Sequence, residues 1–119
     1  MSPLNPGALR ELVRVQAFVP VRQPGGGHVK QWTDIDRSPV WAEIRPLSGT
    51  EYFRAMQTAA QSTHRVRLWA IDGLTANHRL VRVSDNRVLD IVAPPALVDP
   101  EGLAMQLLVR DTMENADAA

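Results

Sequence analysis

Apolar and polar residues alternate with period two along most of this chain, in short runs closed by Pro, Gly, Asn or Asp. Such a run fits a strand with one covered and one solvated face, because successive strand side chains point to opposite sides. About seven runs of this kind can be marked. Over residues 12–21, Val13, Val15, Ala17, Val19 and Val21 share one face, against Arg14 and Gln16 and, just beyond, Arg22. Phe18 interrupts that polar face. A Pro-Gly-Gly-Gly turn leads into a run at 28–35, and the two read as a hairpin. Residues 40–44 set Val40, Ala42 and Ile44 against Trp41, Glu43 and Arg45, with Pro46 ending the ladder. Next, Val66, Leu68 and Ala70 alternate with Arg65, Arg67 and Trp69. Runs at 79–84 and 87–93 read as a second hairpin turning on Asp85-Asn86, and a final run covers 103–109.

One segment departs from this period. Ser48-Gly49-Thr50-Glu51 has the spacing of a capping box, with Leu47 and Tyr52 in the staple positions around it. Behind it Tyr52, Phe53, Met56, Ala59 and Ala60 recur at helical spacing, which predicts a short amphipathic helix over 49–60. The whole reads as a mainly β protein. We expect a small antiparallel β-barrel or sandwich of about six to seven strands, with one short helix in the connection after the third strand. A parallel α/β fold lacks the helices it needs. The 119 residues suffice for one core, so residues 1–119 read as a single domain with flexible ends at 1–6 and 112–119.

Charge and chemistry narrow the function. Thirteen Lys and Arg balance thirteen Asp and Glu, which leaves no overall attraction to an anionic polymer or membrane. The balance is uneven along the chain: up to residue 98 there are twelve bases and eight acids, and from 99 onward one base, Arg110, and five acids. Cysteine is absent, which removes disulfides, thiolate nucleophiles and zinc–thiolate sites. No run is long and apolar enough to span a bilayer, and the start lacks the regions of a signal peptide, so the chain reads as made in a cytoplasm-like setting. His28, His64 and His78 lack the spacing of a metal pair, so no metal is expected. Gly25-Gly26-Gly27 has no Gly-Lys-Ser/Thr behind it and reads as a hairpin tip. Ser48 lacks the second glycine of a nucleophile elbow, and Asp34 and Asp36 read as turn acids. Neither an enzyme nor a cofactor is expected, since no nucleophile, base and orienting group can be assembled.

The positive signal concerns assembly. Trp41 shares its strand face with Glu43 and Arg45, and Trp69 shares its own with Arg65 and Arg67. Large aromatics and arginines on otherwise polar faces are the composition of protein–protein contact surfaces. The alternative is a basic stripe of His64, Arg65, Arg67, Arg79, Arg82 and Arg87 facing a nucleic-acid backbone.

The ordered landmarks resemble a family. Pro6-Gly7-Ala8-Leu9-Arg10-Glu11-Leu12-Val13, Gln31-Trp32, Val40-Trp41-Ala42-Glu43-Ile44, Leu47-Ser48-Gly49-Thr50-Glu51, Thr63-His64-Arg65-Val66-Arg67-Leu68, Arg79-Leu80 and Leu89-Asp90-Ile91 together look like the head–tail adaptor or head-closure proteins of long-tailed bacteriophages. The chain departs from that pattern at Trp69-Ala70-Ile71 and over 94–102. The resemblance implies a virion neck protein, assembled in the bacterial cytoplasm into a homo-oligomeric ring, usually of twelve copies, below the portal or its adaptor. Such a ring closes the DNA exit channel on packaged DNA and offers the surface on which the tail, with its terminator protein, docks. It also implies that the connection at 46–62 is the channel plug, which makes Glu51, Tyr52, Phe53, Arg54, Met56 and Gln57 candidates for channel or inter-subunit contact. The same apolar residues would equally serve to cover one end of the sheet. Trp41, Glu43, Arg45, Arg65, Arg67 and Trp69 are the candidates for the ring or partner interface, and 99–117 for contact with a neighbouring subunit or ring. A tail-completion or tail-terminator role and a small nucleic-acid-binding β-barrel are the alternative readings. No membrane and no small-molecule substrate is expected.

Overall fold

The structure, a computed structural model, describes residues 6–57, 61–98 and 101–116. A 3-10 turn at Pro6–Ala8 precedes β1 (Glu11–Arg22), β2 (His28–Asp34), β3 (Val40–Pro46), the helix α1 (Gly49–Met56), β4 (His64–Trp69), β5 (His78–Arg82), β6 (Arg87–Ile91), a two-residue β7 (Ala96–Leu97) and β8 (Ala104–Asn115). The fold class is the one expected, all pairings being antiparallel with one short helix after the third strand. The strands form one sheet in the order β2-β1-β3-β4-β8-β6-β5, and β5 pairs back onto β1. Six strands therefore make a closed circuit, β1-β3-β4-β8-β6-β5-β1, which leaves few free edges within it.

Strand β1 makes closure possible because it is long enough to serve three partners. Along one edge it pairs first with β3 through Glu11, Leu12 and Val13, then with β2 from Gln16 to Arg22. Along the other edge it pairs with β5 from Val13 to Ala17. The gap between β3 and β2 is filled by the 35–39 loop. There the Val15 amide donates to Ser38 Oγ at 2.8 Å, and the Ile35 amide donates to the Val15 carbonyl at 2.9 Å. Every backbone group that would be orphaned inside the gap thus finds a partner.

The core lies inside the circuit. Val13, Val15, Ala42, Val66, Leu68, Leu80, Leu89, Leu107 and Val109 are buried there, and Val13, Val15, Ala42, Val66 and Leu68 come from the strand face that the alternation marks. Val19 and Val21 belong to the same stripe of β1 but are not buried, because β1 outruns the circuit after Ala17 and pairs with β2 alone. The β1–β2 hairpin is consequently an arm projecting from one end of the circuit. By the antiparallel registers, α1 and the β5–β6 turn lie at the other end.

Several boundaries differ from the sequence reading. The β5–β6 connection spans residues 83–86 rather than the Asp85-Asn86 pair, and only Asn86 takes a positive φ, of 56°. Its shape is set by Asp85, which accepts from Arg82 Nε and Nη2 at 3.0 and 2.8 Å and from the Arg87 amide at 3.1 Å. Strand β8 continues to Asn115, past the end at 109 that the apolar alternation marked. Ion pairs support this polar extension: Arg87 reaches Asp111 at 3.2 Å, and Arg110 reaches Asp90 at 3.1 Å. The register with β6 slips between Arg87 and Leu89, and Met113 near that slip has φ 63°. Helix α1 ends at Met56, and the expected continuation through Ala59 and Ala60 lies outside the described residues. Strand β7, too short to carry a period, was not anticipated.

Leu107 is fully buried on the central strand β8, so Leu107→Ala should cost about 2–5 kcal/mol, read as a lower midpoint in denaturant titration. The double arginine contact holds the Asp85 carboxyl down at about 2 from its ordinary 3.8. A depressed carboxylate contributes stability that is complete above its unfolded pKa and is lost as pH falls through the folded one. NMR titration should therefore find Asp85 titrating near pH 2, and Asp85→Asn should flatten the stability profile between there and about pH 4.

Candidate functional site

Two groups of residues singled out in the sequence meet on the structure. Strands β3 and β4 pair with Glu43 opposite Arg67 and Arg45 opposite Arg65. Cross-strand partners share a face, and two residues further along the same register Trp41 comes opposite Trp69. All six expected interface residues therefore lie on the outer face of this strand pair, away from the core formed by Ala42, Val66 and Leu68. Trp41 is 55% and Trp69 44% exposed. The two tryptophans line an open pocket of about 440 Å³, whose other walls are Leu9, Arg37, Val40 and Ile71. Sequence reasoning did not bring Leu9, Arg37 or Ile71 to this place, since each comes from a loop. Arg67 Nε donates to Gln106 Oε1 at 3.1 Å and so extends the face onto β8.

Helix α1 begins as the capping box prescribes. The Ser48 amide donates to Glu51 Oε1 at 3.1 Å, and the Glu51 amide donates to Ser48 Oγ at 3.3 Å. Glu51 also pairs through Oε2 with Arg65 Nη1 at 3.2 Å, which joins the helix to the β3–β4 face. The Ser48 backbone hydrogen bond, then the Ser48 hydroxyl and the nearby arginines, hold the Glu51 carboxyl below the usual carboxylate range. The helix does not cover the circuit: Tyr52, Phe53 and Met56 are all exposed, Phe53 at 71%. Arg54 and Gln57 are exposed beside them. The base of the connection is fixed to the sheet through its backbone. The Leu47 amide donates to the Thr63 carbonyl at 3.1 Å, the Thr63 amide donates to the Val109 carbonyl at 2.8 Å, and the Asp111 amide donates to Thr63 Oγ1 at 2.9 Å.

The basic stripe of the alternative reading is divided. Arg82 and Arg87 are ion-paired with Asp85 and Asp111. Arg79 lies over Trp32, its guanidinium 4.5 Å from the ring centroid, and Trp32 packs against Phe18 with centroids 5.1 Å apart. Arg79 Nε also donates to Gln16 Oε1 at 2.8 Å, and Gln16 Nε2 to Asp34 Oδ1 at 2.8 Å. This cluster explains Phe18 on a polar strand face, and it stiffens the base of the arm. Among the described residues no group of three His, Asp or Glu side chains is placed to hold a metal ion.

A small closed sheet whose distinctive surfaces are an exposed Trp–Arg face and a helix standing clear of the body defines a protein built for contact with other proteins. Residues 4–111 match the phage head completion protein family, and the chain belongs to that family, a structural component of the bacteriophage virion. It is 32% identical over 114 residues to the head completion protein gp7 of Enterobacteria phage HK97, covering 93% of this chain and 99% of that one. The fold is shared with protein SF1141 of Shigella flexneri 2a, with TM-score 0.69 and 23% identity over 94% of this chain and all of that one. It is also shared with a chain in the virion of a native gene transfer agent particle, with TM-score 0.52 and 19% identity over 86% of this chain and 94% of that one.

Ser48→Ala removes the hydroxyl half of the cap. We expect amide exchange in the first turn of α1 to rise on the order of fivefold, the equivalent of one lost N-cap. The Glu51 titration midpoint should move up toward the ordinary carboxylate value, while the sheet amides keep their protection.

Proposed function

We propose that this chain forms a homo-oligomeric ring at the head–tail junction, seals the DNA exit channel once the head is filled, and presents the surface on which the tail docks. Its partners are then further copies of itself, the portal or its adaptor above, and the tail terminator below, with packaged DNA at the channel. The action is mechanical, and no bond is made or broken. The observation that carries this reading is α1: an aromatic helix that leaves Tyr52, Phe53 and Met56 in solvent, fixed at its base through Leu47 and Thr63 and joined to the β3–β4 face by the exposed Glu51–Arg65 ion pair. Exposed apolar side chains on a short helix are costly in isolation and useful where other surfaces converge on them. Membership in the head completion family supports the same role. Within it, α1 and the rest of 46–62 face the channel or a neighbouring copy, and the Trp41–Trp69 face packs against the next copy or ring.

The test uses DNA-filled, tailless heads made without this protein. Adding the purified chain should place ring density at the portal vertex, reduce DNA leakage and restore competence to accept tails. Replacing 49–57 by a Gly-Ser linker should leave ring density intact but raise leakage, while Trp41→Ala with Trp69→Ala should weaken ring occupancy by tenfold or more, as for the loss of aromatic anchors. Decoration of tail tubes in place of heads would overturn the reading in favour of tail completion. Salt-sensitive binding of the free protein to DNA, with no binding to heads, would overturn it in favour of a nucleic-acid-binding role.

A further inference from the structure

The β1–β2 arm sorts its residues by face. Its register pairs Phe18 with Trp32, Pro20 with Lys30 and Arg22 with His28, and these pairs share one side, while Val19, Val21 and Val29 share the other. The valines continue the core stripe of Val13 and Val15, so the side with the cations is the outer one. Phe18, Pro20, Arg22, His28 and Lys30 are all exposed on it. Lys30 and Arg22 are diagonal neighbours across the two strands, about 7–8 Å apart.

Nothing on the arm balances these charges. Residues 18–33 contain Arg22, His28 and Lys30 and no acid. Among the described residues neither Arg22 nor Lys30 is in an ion pair. The first acid beyond them on β2, Asp34, is engaged, accepting from Gln16 Nε2 at 2.8 Å. At the base of the arm Arg79, opposite Gln16 and lying over Trp32, adds another cation to the same side. Like charges gathered on one face repel each other, and a negatively charged surface beside them turns that cost into attraction.

Shape narrows what that surface is. Beyond Ala17 the arm is a free two-stranded ribbon that runs about 17 Å to Arg22, and such a ribbon is one of the elements that the major groove of B-DNA admits. Its tip is slender. Gly25, Gly26 and Gly27 all take positive φ, and no atom lies within 4 Å of where their side chains would stand, so the turn can approach another backbone closely. Contact through the edge is guarded. The 15–35 and 23–27 pairs are joined by backbone hydrogen bonds, so by alternation the 20–30 pair is not. The nitrogen of Pro20 therefore points to the free edge of β1, where it offers no donor for strand addition. The outer face remains. A duplex carries one charge per about 1.7 Å of its axis, so a short row of cations meets phosphates on any sequence.

We infer that the outer face of the β1–β2 arm binds duplex DNA through its phosphates, with Arg22 and Lys30 as the ionic contacts, His28 beside them, and no base read. That this DNA is the packaged molecule rests on the ring reading above; the surface itself does not. The free chain, titrated with a short mixed-sequence duplex at low salt, should show amide shifts concentrated in 18–22 and 28–32. Affinity should fall about tenfold between roughly 50 and 200 mM salt, as two phosphate contacts require. Lys30→Gln should lower the slope of log affinity against log salt by about one. Arg22→Glu with Lys30→Glu should abolish the shifts while the sheet amides keep their protection. The chain contains no cysteine, so a thiol-directed photocrosslinker attaches only where one is introduced. On DNA-filled heads, the label at Pro20→Cys should reach DNA and the label at Val29→Cys should not.

A duplex that shifts no arm amide, or shifts that persist in the doubly charge-reversed variant, would overturn this surface. Crosslinks from position 20 to protein alone would overturn it in favour of an acidic protein neighbour, and DNA crosslinks from position 29 in place of 20 would overturn the choice of face. The two readings fail separately. Ring density at the portal vertex with an arm that ignores DNA would leave the ring standing without this contact, whereas arm shifts on DNA with no binding to heads would support the surface and count against the ring.

Discussion

The structure depends on one long strand having partners on both edges. β1 is the seam of the closed circuit, with β3 and then β2 along one edge and β5 along the other. Without the β1–β5 pairing, the six circuit strands would form an open sheet with two exposed edges and a core open on one side. With it, valines and leucines from six strands meet inside, and the backbone groups of β1 are satisfied even at the junction between β3 and β2 by the Ser38 hydroxyl. A chain of this size has little stability to spare, and closing the circuit lets it manage without disulfides.

Closure also dictates where contacts with other molecules can arise. A circuit with few free edges does not readily assemble by adding strands, so contact falls to what stands on its outer face or projects from its ends. Among the described residues such features include the Trp41–Trp69 face with its arginines, α1 at one end, and the β1–β2 arm at the other. Each presents apolar side chains that the chain itself leaves in water. A protein that worked alone would gain nothing by this. A component of a particle, held among neighbours at high local concentration, converts such surfaces into contacts when it docks.

Much of this was legible in the sequence because strands announce themselves by period two. The runs around Val13, Ala42 and Val66 were placed on the right face, and Ser48 with Glu51 marked the start of the helix. The Trp–Arg face was legible for the same reason, since the residues left over from a core stripe must share the opposite side. What was not legible depended on where partners run out. Alternation cannot tell that β5 stops pairing at Ala17, so Val19 and Val21 read as core although they lie in the arm. Nor does it register the polar end of β8, where Arg87–Asp111 and Arg110–Asp90 replace apolar contacts. The pocket beside the tryptophans was hidden because Leu9, Arg37 and Ile71 reach it from loops, which carry no period.

The contrast between the base and the tip of the α1 connection bears on how it could act in a channel. At its base, Thr63 is tied by backbone and hydroxyl to Val109 and Asp111 on β8. Bonds of this kind, exchanged in a partly buried setting, hold the ends of the connection as firmly as the sheet itself. Among the described residues, α1 is tied to the body by the Glu51–Arg65 pair, with Glu51 in solvent. An exposed pair is worth about 1 kcal/mol or less and weakens with salt. The helix can therefore exchange this partner for a better one, such as a neighbouring copy or the wall of a channel, without disturbing a core residue. A firm hinge and a lightly held tip allow a segment to be repositioned during assembly while the sheet that carries it stays folded, which is the property that a closure element has to have.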